Sequence, residues 1–188
     1  MKLCLIRHGQ TEANEKQLHC GQTDVSVTKQ GILDLFKLKE SIVYPTAAIY
    51  ITSGLIRTRE TLWTLYDKEP DIIISEFMEM DLGDFEMKSY DDLKDNPEYQ
   101  RWIEDIENAA CPNGESKILF INRINKGLDK LKNLNTKSAV VICHGGVISL
   151  IMDQYFPGKQ NFYEWQPSYG RGYTLELTHH SAVMISNI

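Results

Sequence analysis

The sequence predicts an α/β protein, a three-layer α/β/α sandwich around a mostly parallel central sheet with a small helical cap. Three observations predict it. Short apolar runs such as LCLI at 3–6 and SAVVIC at 138–143 read as buried strands. Stretches with apolar residues at helical spacing lie between such runs. The two kinds alternate along the chain, an order that builds parallel strands covered by helices on both faces.

Taken in order, the strand at 3–6 is followed by an amphipathic helix over 28–42, with Ile32, Leu35, Phe36 and Leu38 on one side. A second strand is expected at 47–52, a helix at 55–66 carrying Arg57, and a third strand at 71–75. The pattern weakens between Glu76 and Pro112, where short helices are expected at 90–94 and 99–107. A long amphipathic helix over 115–134 carries Ile118, Leu119, Ile124, Leu128 and Leu131 as its stripe. The strand at 138–143 leads into a helix over 147–155, and runs at 173–177 and 182–185 read as a hairpin around 178–181. No repeat or linker divides the chain, so residues 1–188 are read as one domain with the cap inserted at about 84–114.

The 188 residues include 42% hydrophobic and 24% charged ones, a balance that excludes disordered and membrane classes. Net charge is −6 and the 20 basic residues form no dense run, which argues against nucleic acid as a partner. Any bound anion is then held by a local cluster against the overall field. The apolar start is too short for a secretory leader, so a cytoplasmic location away from the membrane is expected. Cys4, Cys20, Cys111 and Cys143 lack metal or redox spacing and are read as reduced thiols.

In open α/β sheets ligands bind beyond the carboxyl ends of the strands. The residues following the expected strands are Arg7-His8-Gly9, Ser53 to Arg57, Glu76 to Glu79, and His144-Gly145-Gly146, which would all meet at one rim. Arginines disfavour a divalent cation there, and HExxH and paired Cys/His spacings are absent, so no metal is expected. GxSxG, GxxxxGK[ST] and CxxxxxR are absent too. Guanidinium forks match phosphate oxygens, and a neutral imidazole can attack phosphorus. The constellation therefore points to phosphoryl transfer through a phosphohistidine.

These residues fall in blocks. Arg7-His8-Gly9-Gln10-Thr11-Glu12-Ala13-Asn14 reads RHGxTxxN, followed by Gly21-Gln22-Thr23-Asp24 and by Val27-Thr28-Lys29-Gln30-Gly31, with valine for a usual leucine. Ser53 to Thr58, Glu79 to Glu86, Pro112 to Ser116 and Cys143 to Gly146 complete the series. In these blocks the chain resembles the histidine phosphatase superfamily, whose phosphoglycerate mutase-like fold and metal-independent, cofactor-free phosphomonoester chemistry are what the resemblance implies. By the same resemblance His8 is the nucleophile, Arg7, Arg57 and His144 hold the phosphoryl oxygens, and Asn14, Gln22 and Gly145 contact substrate. Glu79 is the acid and base, favoured over Glu76 by its spacing to Gly83; Glu76 and Glu86 are read as solvated acids. Thr58, Phe85 and Met87 replace a usual alanine, tryptophan and glycine.

The stretch from Gly83 through Trp102 to Glu115 is most similar to α-ribazole phosphatases, which implies a ribazole 5′-phosphate as the small-molecule partner and a place in cobalamin assembly. A broad sugar-phosphate or nucleotide phosphatase, or a mutase-like enzyme, is the alternative; the short segment between Phe85 and Gly114 favours hydrolysis. Tyr90, Tyr99, Trp102, Tyr169 and Tyr173 are candidates for stacking on a flat base, though any one of them is more readily read as packing, and Arg171 between two glycines is a candidate for the rim. His19, His179 and His180 match no block, and the tandem pair is expected on the surface of a turn.

Overall fold

The computed structural model describes residues 1–178 and 181–188, so the expectation for His179 and His180 lies outside the described residues. Six strands form one sheet in the order β3-β2-β4-β1-β5-β6: β1 (Lys2–Arg7), β2 (Ile49–Thr52), β3 (Ile72–Ile73), β4 (Ser138–Cys143), β5 (Gly172–Leu177) and β6 (Ala182–Asn187). The first four run parallel, while β5 is antiparallel to β1 and pairs with β6 as a hairpin. Among the described residues no helix is long and apolar enough to cross a membrane.

Alternation along the strands sorts two cores. Leu3 and Leu5 of β1 with Ala139, Val141 and Cys143 of β4 face α6 (Lys117–Asn133) and α7 (Gly145–Tyr155). Cys4, Ile6, Val140 and Ile142 face the opposite way, toward α2 (Lys29–Ser41) and α3 (Ile56–Tyr66). Both faces of the central strands are dry, which is why they read as continuous apolar runs. A third cluster of Phe85, Leu93, Tyr99, Trp102 and Cys111 involves α4 (Tyr90–Leu93) and α5 (Pro97–Glu104). Phe85, in the position of a usual tryptophan, is 5.3 Å from the Tyr99 ring and 5.7 Å from the Trp102 ring.

Several expected elements shift. β3 is shorter than 71–75 because it sits at the edge beside four-residue β2 and pairs only at Ile72 and Ile73; a 3₁₀ turn, Ser75–Phe77, follows. Helix α6 starts at Lys117, where the Ser116 hydroxyl accepts the amide of Leu119 and closes the N-terminus. Its buried face is Phe120, Ile124, Gly127, Leu128 and Leu131, leaving Ile118 and Leu119 at 63% and 55% exposure. The expected stripe was out of phase only in this first turn. In α2, Leu35 is buried and Phe36, about 100° further round the helix, is 47% exposed.

Met87 explains a departure noted in the sequence. Its φ is +58°, the left-handed region that favours the glycine usual at that place.

Two stability predictions follow from this packing. Ile124→Ala, at a position with no exposed surface, should cost about 2–5 kcal/mol in urea unfolding, whereas Ile118→Ala should stay within about 0.5 kcal/mol. Equal losses would place the α6 stripe wrongly. At Met87 a valine should cost about 1–2 kcal/mol and a glycine should be tolerated; the same urea titration reads the difference, and equal losses would remove the backbone argument.

Candidate active site

Strand register builds the site. Arg7 pairs with Cys143 at the carboxyl ends of β1 and β4, and the His8 amide donates to the Cys143 carbonyl at 3.0 Å, one step beyond the ladder. His8 and His144 therefore leave adjacent parallel strands side by side, their rings 5.2 Å apart between centroids. Ser53 follows β2, the other neighbour of β4, and its Oγ lies 2.8 Å from Nε2 of His144.

Hydrogen bonds assign the tautomers. The Gly9 carbonyl can only accept, so His8 carries its proton on Nδ1, which donates to it at 2.7 Å. That leaves the Nε2 lone pair of His8 free of any hydrogen bond among the described residues. His144 is the opposite tautomer, since its Nδ1 accepts from Nε of Arg57 at 3.3 Å and Nε2 carries the proton toward Ser53. Burial, followed by the positive charge of Arg57, holds both imidazoles well below their ordinary pKa. Both are neutral.

Arg57 starts α3 and is buried, and its fork is held by the carbonyls of Thr23 at 2.8 Å and Gly21 at 2.6 Å. Arg7 donates to the Pro167 carbonyl at 2.9 Å and lies 4.2 Å above the Tyr169 ring, while its buried Nε has no partner. Among the described residues neither guanidinium forms an ion pair. Two cations without a carboxylate in contact, one of them buried, make this end of the sheet suited to an anion.

Asn14 caps its own short helix α1 (Glu12–Glu15): its Oδ1 accepts from the amide and hydroxyl of Thr11, which leaves Nδ2 as the end available to the cleft. Glu79 accepts from the amides of Met80 at 3.0 Å and Gly146 at 2.8 Å. A Cβ on Gly146 would come within 2.5 Å of its Oε1, so the glycine is what lets the carboxylate approach the start of α7.

These groups open into a cleft of about 430 Å³, with Arg7, His8, Asn14, Glu79, Gly145 and Gly146 at its polar end. Arg57 and His144 stand behind that end. Gln22 does not line it; its side-chain amide donates to the Glu79 carbonyl at 3.2 Å, and its backbone amide binds Glu86. The far walls are Leu18, Met80, Leu82, Trp102, Ile106, Phe162 and Tyr163. Among the described residues no group of three or more His, Cys, Asp or Glu is placed to hold a metal ion, and all four cysteines are free thiols.

The family model of the histidine phosphatase superfamily (branch 1) matches residues 3–186. The chain belongs to that superfamily. It is similar to the adenosylcobalamin/α-ribazole phosphatase of Salmonella typhimurium, with 31% identity over 81% of this chain and 78% of that protein. The enzyme of the same name from Escherichia coli is 32% identical over 81% of this chain and 77% of its own. Among solved structures, the α-ribazole phosphatase of Shigella flexneri superposes with a TM-score of 0.87 at 26% identity, covering all of this chain and 96% of that one. A phosphoglycerate mutase from Thermus thermophilus shares the fold at a TM-score of 0.78 and 24% identity.

Against this family background several readings change. Glu86 is no solvated acid: its carboxylate accepts from the amides of Gly21, Gln22, Thr23 and Leu82 and from the Thr23 hydroxyl. Glu76 pairs with Lys130 and stands away from the cleft. Of the five candidate aromatics only Trp102 lines the cleft; the packing reading holds for Tyr99 and Tyr173 in the core, while Tyr90 is exposed and Tyr169 stacks on Arg7. Arg171 lines a different groove, beside α2. Phe162, Tyr163 and Gln166 come from a stretch without periodicity between α7 and β5, and nothing in its pattern marked them. His19 also lines the cleft, its Nε2 2.9 Å from the Tyr99 hydroxyl.

The neutral histidines predict a pH dependence. Unfolded chain takes up protons on them below about pH 6.5, while the folded chain does not, so stability should be full above that pH and fall below it. The slope is about 1.4 kcal/mol per pH unit for each histidine. Urea unfolding between about pH 7.5 and 5.5 should show it, and His8→Asn with His144→Asn should flatten it; an unchanged slope in the double variant would refute the assignment.

Proposed function

We propose that this chain is a phosphomonoesterase that removes the phosphate of α-ribazole 5′-phosphate through a phosphohistidine on His8. The observation that carries the chemistry is the tautomer of His8, with Nδ1 held by Gly9 and Nε2 left as a lone pair near the guanidinium groups of Arg7 and Arg57. Nε2 attacks phosphorus while Arg7 and Arg57 neutralise the phosphoryl oxygens and Asn14 Nδ2 and the Gly145 end of α7 supply further donors. The bond from phosphorus to the ester oxygen breaks, and the Glu79 carboxyl gives its proton to the departing alkoxide. Water then attacks the phosphohistidine, loses a proton to Glu79, and phosphate leaves with His8 restored.

His144 stays neutral behind the polar end, where its Nδ1 orients Arg57 and its Nε2 is held by Ser53, so that Arg57 keeps its place beside the phosphate.

Substrate choice rests on the apolar walls and on the relatives' names. Trp102, Ile106, Phe162 and Tyr163 give the alcohol portion of the ester a flat, greasy surface, suited to a base of the benzimidazole type. Residues 84–114 supply one side of that surface and are read as a cap on a single domain.

Steady-state kcat/KM for α-ribazole 5′-phosphate, set beside ordinary phosphomonoesters, tests the reading. We expect a preference of at least about a hundredfold that Phe162→Ala with Tyr163→Ala reduces about tenfold, and loss of turnover and of acid-labile phosphoprotein in His8→Ala. Equal values across the panel would withdraw the ribazole ester and keep the mechanism. Full activity in His8→Ala would remove the mechanism itself.

A further inference from the structure

Glu79 sits in a stretch that no regular element holds. The 3₁₀ turn Ser75–Phe77 ends just before it, and the next, Gly83–Phe85, begins four residues later. An acid that must meet one ester oxygen needs a fixed backbone, because a misplacement of about 1 Å can cost a hundredfold in rate. Something outside the stretch has to fix it.

Arg123, near the middle of α6, does so with every N–H it has. Its Nε and Nη2 grip the Glu115 carboxylate at 2.7 and 2.6 Å. Nη1 donates to the carbonyls of Glu76 at 2.8 Å and Met78 at 2.9 Å, and Nη2 donates to the carbonyl of Glu79 itself at 2.9 Å. Glu115 completes the frame from the other end, since its Oε2 accepts the Asp81 amide at 2.9 Å and its own amide donates to the Asp81 carbonyl at 2.8 Å. Backbone groups on both sides of Glu79 are thus tied to one ion pair, whose side chains are 20% and 16% exposed.

We propose that Arg123, oriented by Glu115, is a positioning residue that holds the Glu79 carboxylate at the height of the ester oxygen and so governs delivery of the leaving-group proton. This rests on the role given to Glu79 above. Arg123 lies behind Glu79 and does not line the cleft. The work requires a planar fork that spans a carboxylate and three carbonyls at once, which a lysine, a single point charge, cannot reproduce.

The test uses esters that differ in their need for an acid. An alkyl phosphomonoester leaves as a poor alkoxide and needs the proton; p-nitrophenyl phosphate leaves as a stable phenolate and does not. kcat/KM is the quantity compared, because it reports steps only up to release of the alcohol, so the later attack of water does not enter. Glu79→Gln should lower the alkyl value by about a hundredfold or more and the aryl value by less than about tenfold. Arg123→Met and Glu115→Gln should show the same selective loss, about tenfold to a hundredfold on the alkyl ester, with Arg123→Lys recovering only part of it.

Thermal unfolding run alongside tells whether each variant is folded at the assay temperature. Should Arg123→Met not fold, Arg123→Lys and Glu115→Gln decide. If these variants lose both esters equally, or neither, while Glu79→Gln keeps its selective loss, the clamp only supports the fold and the proposal is overturned with the acid role intact. If Glu79→Gln itself shows no selectivity, the acid role fails and the proposal falls with it.

Discussion

Two guanidinium groups, Arg57 buried and Arg7 half-buried, sit at the carboxyl end of the sheet without a carboxylate in contact, and most of the local structure answers to that burden. Desolvating a cation costs several kcal/mol unless hydrogen bonds and opposite charge compensate. For Arg57 the compensation comes from the carbonyls of Gly21 and Thr23. The amides of those same residues, with that of Gln22, point at the Glu86 carboxylate. A loop of three residues thus stands between a cation and an anion, and the Gly21–Gln22 peptide spans the two directly, its carbonyl on Arg57 and its amide on Glu86. Glu86 stabilises Arg57 through oriented peptides and leaves the front of the guanidinium unneutralised. A carboxylate in direct contact would have satisfied Arg57 and displaced the phosphate.

The same positive field governs the histidines. Neither ring can hold a second proton while both arginines are charged and solvent is excluded, so each is a neutral tautomer selected by its neighbours. Gly9 selects the tautomer that leaves Nε2 of His8 free, and Ser53 with Arg57 selects the other for His144. Burial, charge and hydrogen bonding converge on one protonation state, and that state is the one a nucleophile requires.

How much of this was legible in the sequence depends on distance along the chain. The apolar runs of β1 and β4 are buried without interruption and announce both the strands and the rim residues that follow them, so Arg7, His8 and His144 were readable by position. Glu86 and Arg123 were not. Each acts by collecting backbone groups from a segment remote in sequence, and a backbone carbonyl or amide carries no residue identity that a pattern could register. The walls from Phe162 to Gln166 were hidden for another reason: they lie on an irregular connection whose course is set by what it packs against. Met87 marks the middle ground. The missing glycine was visible in the sequence, and its meaning became clear only with a positive φ.

Division of labour within the site follows from what changes during the reaction. In the proposed reaction Arg7 and Arg57 face a phosphoryl group that is anionic in the ester, on the histidine and as free phosphate, so much of their attraction is spent on all three. Binding that is uniform along the path lowers KM without lowering the barrier from the bound state. Charge that is absent from the bound ester develops on the departing oxygen, and in the proposed mechanism the group that answers it is Glu79. On this reading the proton for the departing oxygen rests on one carboxylate, held by Gly146 in front and by the clamp of Arg123 and Glu115 behind. This explains why the most densely bonded arginine among the described residues serves the acid, and the phosphate is left to arginines with donors to spare.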